Sequence, residues 1–148
     1  MNSIESKKSL GLSGEIKVPG DKSISHRALI IGSMVNGKIK IKNLLESEDV
    51  IATANALKQL DVKINKVTQN EWEVFGNGIG CLEGSNPLLD MGNSGTGVRL
   101  LMGLVAGSDV EATFTGDKSL SKRPIRRIIK PLIMNGAFVD KENNNITY

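Results

Sequence analysis

The sequence predicts an α/β fold made of repeated units, two successive strand-and-helix modules of roughly 70 residues each, because the apolar periodicity switches between strand and helix spacing and then restarts. Three observations carry that reading. Alternating runs such as "KIKIKNLL" (38–45) are interleaved with runs at helical spacing. The order strand, Gly-rich turn, helix begins again at "LLDMGNSGTGVRLLMGLVAG" (88–107). The octapeptide "GDKSISHR" (20–27) returns as "GDKSLSKR" (116–123), with Lys, Ser and Arg at the same offsets.

The elements follow in chain order. "EIKVPG" (15–20) alternates and stops at Pro-Gly, which predicts a strand and a turn. "SISHRALIIGSMVNG" (23–37) predicts a helix with Ser near its start and Gly37 after its end. "KIKIKNLL" predicts a half-exposed strand. "SEDVIATANALKQL" (47–60) opens on Ser and two acids, which suit a helix N-terminus, with Val50, Ala54, Leu57 and Leu60 on one face. "VKINKV" and "EWEVFG" predict short strands, followed by the turn "GNGIG".

In the second half, "LLDMG" (88–92) predicts a strand, and "NSGTGVRLLMGLVAG" (93–107) a Gly-rich turn entering a buried apolar helix. "VEATFTG" (110–116) predicts a strand. "RPIRRIIKPLIMNG" (123–136) predicts a helix with Pro124 at its first position, Ile125, Ile128, Ile129, Leu132 and Ile133 on one face, and a kink at Pro131. "AFVD" and "NITY" predict short strands, and a chain that stops in the opening of a strand is expected to be truncated.

The composition bounds the function. With 148 residues, 39% hydrophobic and 24% charged, the chain is the size of one ordinary domain. Aromatics at 3% leave few platforms for stacking single-stranded nucleic acid. No apolar run reaches a membrane span, and "MNSIESKKSL" lacks the apolar core of a secretory signal. A single Cys and a single His exclude an internal disulfide and a Cys/His zinc site. Cys81 has no residues beside it in sequence that would lower its pKa, so it reads as inert. The expectation is a reduced, cytoplasmic, metal-free protein. The net charge of +3 is uneven, since residues 116–131 hold six basic residues against one acid. A compact basic cluster of this kind fits a small anion better than a nucleic acid.

Three turns carry the candidate chemistry. Lys22, Ser23 and Arg27 lie at the start of a helix, where free backbone N–H groups and the helix dipole favour an anion. Lys22 adds a point charge, Ser23 a hydroxyl and Arg27 a two-pronged donor. "GNSGTGVR" (92–99) is neither a P-loop nor G-x-G-x-x-G, but Gly95 and Gly97 permit close backbone approach, and Asn93, Ser94 and Thr96 can cap the helix or bind a ligand. Arg123 stands at the mouth of the fourth helix with Lys118 and Lys122 adding positive potential. Taken alone, the Lys22 turn is equally what a capped helix with solvated charges would show, and the loop at 92–99 reads as a tight turn before it reads as a site. Arg126, Arg127 and Lys130 read as a solvated helix face, and Asp49 and Glu48 as stabilisers of a helix start. His26 has no carboxylate near it in sequence and reads as structural rather than as an acid–base group.

"PGDKSISHRAL" (19–29), "GNSGTGVRLLMGL" (92–104) and "GDKSLSKRPI" (116–125), in this order and spacing, resemble three signatures of the 3-phosphoshikimate 1-carboxyvinyltransferase (EPSP synthase) family. The resemblance runs over essentially the whole chain. It implies the "inside-out barrel" fold of repeated βαβαββ-type units, incomplete here. Residues 1–19 would be an N-terminal strand that joins the other domain of the family, and 20–148 about two units of the first domain. It implies transfer of the enolpyruvyl group of phosphoenolpyruvate to the 5-hydroxyl of shikimate 3-phosphate, in chorismate and aromatic amino-acid biosynthesis. The implied route is addition, a tetrahedral intermediate and elimination of phosphate. No cofactor, metal, nucleic acid or membrane is implied, and a monomer is expected when complete.

By position, Lys22 matches the lysine that touches both substrates and is the catalytic candidate. Ser23 and Arg27 match residues that hold shikimate 3-phosphate. Gly95 and Arg123 match residues at phosphoenolpyruvate, and Asn93 is a weaker candidate in the same loop. Glyphosate-insensitive relatives carry alanine where this chain has Gly95, which implies a glyphosate-sensitive enzyme. The other cleft wall in the family supplies an aspartate, a glutamate, a second lysine and further arginines, so the chain alone is expected to be inactive. The two octapeptides are expected to be equivalent turns of successive units. The alternatives are a non-catalytic anion-binding remnant, a nucleic-acid-binding domain using the basic segment, and a UDP-N-acetylglucosamine enolpyruvyl transferase relative, which has a Lys-Asn turn where this chain has Lys22-Ser23.

Overall fold

The computed structural model describes residues 3–80, 82–142 and 145–147. Cys81 lies outside them. Two sheets mark two units. The first unit runs α1 (Lys22–Ser33), β1 (Asn36–Lys42), α2 (Glu48–Gln59), β2 (Lys63–Thr68) and β3 (Glu71–Asn77). Its antiparallel sheet has the order β1-β3-β2. The second runs β4 (Leu88–Asp90), α3 (Gly95–Ala106), β5 (Thr113–Thr115), a 3₁₀ turn (Leu120–Lys122), α4 (Arg126–Met134), β6 (Asp140–Glu142) and β7 (Asn145–Thr147). Its sheet has the order β4-β5-β7-β6, with β4 parallel to β5 and the other pairs antiparallel. The second unit is therefore a full βαβαββ module, and the first has the same path without its opening strand.

Register places the core. Ile39 pairs with Val74 and Ile41 with Trp72 across β1 and β3, while Ile64 of β2 faces Val74 from the other side. The two-residue side-chain period then puts Ile41, Ile64, Trp72 and Val74 on the face covered by the helices. Lys38 and Lys40 fall on the opposite face and pair with Glu73 and Glu71 at 3.0 and 3.2 Å. Leu29 of α1, Val50 and Leu57 of α2, and Leu101 and Met102 of α3 are fully buried against one another. Each such side chain contributes about 1.5–3 kcal/mol relative to exposure.

Several sequence expectations need correction. Residues 15–20 form no strand: Ile16 and Val18 are 84% and 65% exposed, and no strand among the described residues lies alongside to take their backbone groups. α1 ends at Ser33 with Met34 as its cap, and Gly37 belongs to β1 instead. α3 buries only one face, for Gly103 is exposed. α4 starts at Arg126, so Pro124 precedes the helix rather than opening it, and Arg123 takes the extended conformation that proline demands of the residue before it. Ile128, Ile129 and Leu132 pack inward, but Ile133 is half exposed. Pro131 lies inside α4.

Candidate functional site

The repeated octapeptide encodes one local structure twice. Asp21 caps α1 by accepting from the Ile24 N–H at 2.7 Å, and the Ser25 hydroxyl donates back to the Asp21 carbonyl at 2.7 Å. Asp117 accepts from the Leu120 N–H at 2.7 Å, and the Ser121 hydroxyl donates to the Asp117 carbonyl at 2.9 Å. Both preceding glycines admit no side chain: a Cβ would strike the Asn43 carbonyl at Gly20, and the Leu120 side chain and Gly92 carbonyl at Gly116. Yet the two turns are not equivalent in the units. Strand pairing matches β1 with β5, so α1 corresponds to α3 and α2 to α4. The first octapeptide thus enters the first helix of its unit and the second follows the second strand of its own. Past the shared cap they diverge, one into twelve helical residues, the other into a three-residue 3₁₀ turn.

α1 and α2 run side by side with their N-termini at one end, as two cross-links one turn apart demonstrate. Lys22 Nζ pairs with Asp49, and four residues further along each helix the His26 ring and Thr53 hydroxyl are 2.8 Å apart. α3 joins at the same level. Gly97 in its first turn lies so close to the Thr53 and Ser94 hydroxyls that a Cβ would overlap both, and the Gly97 N–H donates to Ser94 Oγ at 3.2 Å. Three helix N-termini therefore converge. Their dipoles and unpaired N–H groups make this end of the molecule favourable to anions.

Ser23 and Arg27 are exposed one helical turn apart, and Arg27 has no ion pair among the described residues. Asn93 links the second turn to the third: its Nδ2 donates to Asp117 at 2.6 Å and its carbonyl accepts from Arg123 Nη2. That holds the Arg123 guanidinium over Gly95, where a Cβ would collide with it. The Asp117 N–H donates to the Gly92 carbonyl at 2.9 Å, so both loops leave the ends of the parallel strands β4 and β5 as one assembly. Lys118 and Lys122 are exposed beside it. A groove of about 510 Å³ beside this cluster has an apolar floor of residues such as Val98, Phe114, Leu120 and Ile129, and Lys122, Arg123 and Arg126 also line it.

The electrostatics follow from these contacts. Burial pushes the Asp49 carboxyl up, but hydrogen bonds from Lys22 and Ser47 and the Lys22 charge outweigh it and hold the group below the usual range. Asp117 is held low by the Leu120 N–H first and then by Asn93. Burial depresses the His26 pKa, opposed by Asp49 and reinforced by Lys22. Stability should accordingly fall in two windows. Below about pH 6.5 the unfolded chain takes up a proton that folded His26 refuses, costing up to about 1.4 kcal/mol per pH unit until the folded pKa is reached. Below about pH 4 the carboxylates held low in the folded state add a second loss. Urea midpoints at pH 7.5, 6 and 5 should decline, and His26→Asn should flatten that decline.

Sequence reading placed Lys22, Ser23, Arg27, Gly95, Asn93 and Arg123 at helix mouths, and the structure joins the last three into one cluster. It missed Asp49 as the partner of Lys22, Thr53 as the junction and Asp117 as the anchor of Asn93. A signal was present, for Lys22 with His26 and Asp49 with Thr53 both have the four-residue spacing of one helix face.

The EPSP synthase (3-phosphoshikimate 1-carboxyvinyltransferase) family model matches residues 6–148. Among curated relatives, the 3-phosphoshikimate 1-carboxyvinyltransferase of Afipia carboxidovorans is 52% identical over 136 residues, covering 92% of this chain and 31% of that protein. That of Parvibaculum lavamentivorans is 51% identical, covering 92% and 30%. The solved EPSP synthase of Acinetobacter baumannii superposes with a TM-score of 0.82 at 38% identity, covering 90% of this chain and 32% of that one. The chain spans about a third of the length of the relatives it matches.

Proposed function

This chain belongs to the EPSP synthase family, and on that premise we propose that it serves the transfer of the enolpyruvyl group from phosphoenolpyruvate to the 5-hydroxyl of shikimate 3-phosphate. The observation that carries this reading is the convergence of three helix N-termini with cationic groups on two of them, Lys22 and Arg27 on α1 and Arg123 held by Asn93 over Gly95 of α3. Two polyanionic substrates need two such clusters side by side. Lys22, Ser23 and Arg27 hold shikimate 3-phosphate. Gly95 and Arg123, with Asn93 as the brace of the guanidinium, hold phosphoenolpyruvate, and Lys22 reaches both. The 5-hydroxyl oxygen bonds to C2 of the enol phosphate while a proton adds to its methylene carbon, giving a tetrahedral intermediate. Loss of phosphate from C2 with a proton from the new methyl group restores the double bond. Donors fixed in advance lower the barrier by holding the reactants in place and by offsetting charge as it shifts. The reaction belongs to chorismate and aromatic amino-acid biosynthesis. Residues 20–148 form one wall of the cleft, and the acid–base groups come from the other, so this chain alone is inactive.

Phosphate release from both substrates together tests the reading. None is expected from the 148-residue chain, and turnover is expected when it is joined to a second wall. Release by the chain alone contradicts the proposal. Gly95→Ala should displace the Arg123 guanidinium, weakening phosphoenolpyruvate by roughly tenfold or more, as for loss of one charge-assisted hydrogen bond, while shikimate 3-phosphate changes less than about twofold. The same methyl group should crowd glyphosate, so the enzyme with Gly95 is glyphosate-sensitive.

A further inference from the structure

We propose that the buried His26–Thr53 hydrogen bond is a positioning device that sets the register of α1 against α2 and so places Lys22 at the mouth. The inference concerns the same site and rests on the reading of Lys22 given above. His26 and Thr53 are both fully buried. Each lies one helical turn below a member of the Lys22–Asp49 pair, His26 four residues after Lys22 and Thr53 four after Asp49. A surface ion pair alone fixes little, because its side chains are long and solvated. Lys22 is half exposed. A short buried rung on rigid helices fixes the backbone beneath it, and sliding one helix along the other would leave two buried polar groups unpaired.

The proton inventory selects one form of the ring. The Thr53 hydroxyl carries one proton and lies 3.3 Å from the Asp49 carbonyl, to which it donates. His26 Nδ1 must then carry the proton that Thr53 accepts. His26 Nε2 is buried without a hydrogen-bond partner among the described residues, which a bare lone pair tolerates better than an N–H would. The opposite tautomer would orphan that N–H and release the Asp49 carbonyl. The imidazolium would add a buried cation one turn from Lys22. The charged groups that face the ring are Asp49 on α2 and Lys22 on α1, and burial already opposes protonation. His26 is thus a neutral strut and takes no proton from substrate. The rung extends to α3, since the Thr53 hydroxyl abuts Gly97.

Because His26 is the single histidine, a long-range ¹H–¹⁵N spectrum of the chain reads its tautomer without ambiguity. The Nδ1–H form is expected at pH 7. An Nε2–H form or an imidazolium overturns the proposal, whatever any variant does. Thr53→Val keeps the volume and removes the hydroxyl, whereas Thr53→Ser keeps the hydroxyl. In the folded Val variant the Asp49 carboxyl should titrate closer to the ordinary carboxylate range, and shikimate 3-phosphate should bind roughly tenfold more weakly. Thr53→Ser should restore both. An Asp49 titration unchanged in folded Thr53→Val overturns the positioning role. If the wild-type chain fails to bind shikimate 3-phosphate, the substrate reading falls, while the tautomer and the Asp49 titration still decide the strut.

Discussion

Replacing Lys22 with methionine should lower enolpyruvyl transfer by an enzyme carrying both cleft walls by about 10²–10³-fold, the range seen when one preorganised donor to developing charge is removed. The expected loss exceeds that of an ordinary surface lysine for two reasons. Lys22 stands where the N-termini of α1, α2 and α3 meet, so its charge adds to three dipoles aimed at one place. Its removal also strips the cation from Asp49, which keeps only the Ser47 hydroxyl as a side-chain donor, and leaves a carboxylate beside the bound anion. The substitution therefore converts attraction into repulsion. Asp49→Asn in the Lys22→Met background should recover part of the lost shikimate 3-phosphate affinity, because it removes the repulsion, but not the transfer rate. Phosphate-release kinetics and a calorimetric titration separate the two effects. If the double substitution binds no better than the single one, Asp49 is not the source of the added loss.

Gly97→Ala should be the most destabilising of the substitutions considered at the site. A Cβ there overlaps the Ser94 and Thr53 hydroxyls and crowds the Met91 methyl group, and Ser94, Thr53 and Met91 are all fully buried. Overpacking a closed junction costs about 1–3 kcal/mol, and disturbing the Ser94 cap adds about 1. A loss of about 3 kcal/mol lowers the melting temperature of a chain this size by on the order of 10 °C. Gly103→Ala, in the same helix, is the control. Beyond its own helix backbone, no described residue lies within 4 Å of a Cβ there and the residue is exposed, so alanine should stabilise by up to about 1 kcal/mol. Thermal melts of the two variants should move in opposite directions.

The repeated-unit fold was legible because each unit keeps its periodicity: Ile39 and Ile41 alternate in β1, and Val50, Ala54 and Leu57 recur at helical spacing in α2. Where periodicity had to stand in for pairing, it failed. Residues 15–20 alternate as a strand does, but alternation supplies no partner for a backbone. The octapeptides illustrate a second limit. Their shared hydrogen bonds at Asp21 and Asp117 are local, although the sequence reading put Ser rather than Asp21 at the helix start, whereas their unequal places in the units depend on how β1 and β5 pair. The site divides the same way. Lys22 and Arg123 stood out as charged residues in recognisable turns. Thr53, a small hydroxyl inside a helix, becomes important only because α1 and α3 both reach it.

The most direct measurement is a map of backbone amide shifts as the chain is titrated first with shikimate 3-phosphate and then with phosphoenolpyruvate. Shifts at 22–27 for the first ligand, and at 93–97 and 117–123 for the second, are the expected result. Shifts centred on the solvated face at 126–130, or the same residues responding alike to both ligands, would contradict a cleft wall divided between two substrates.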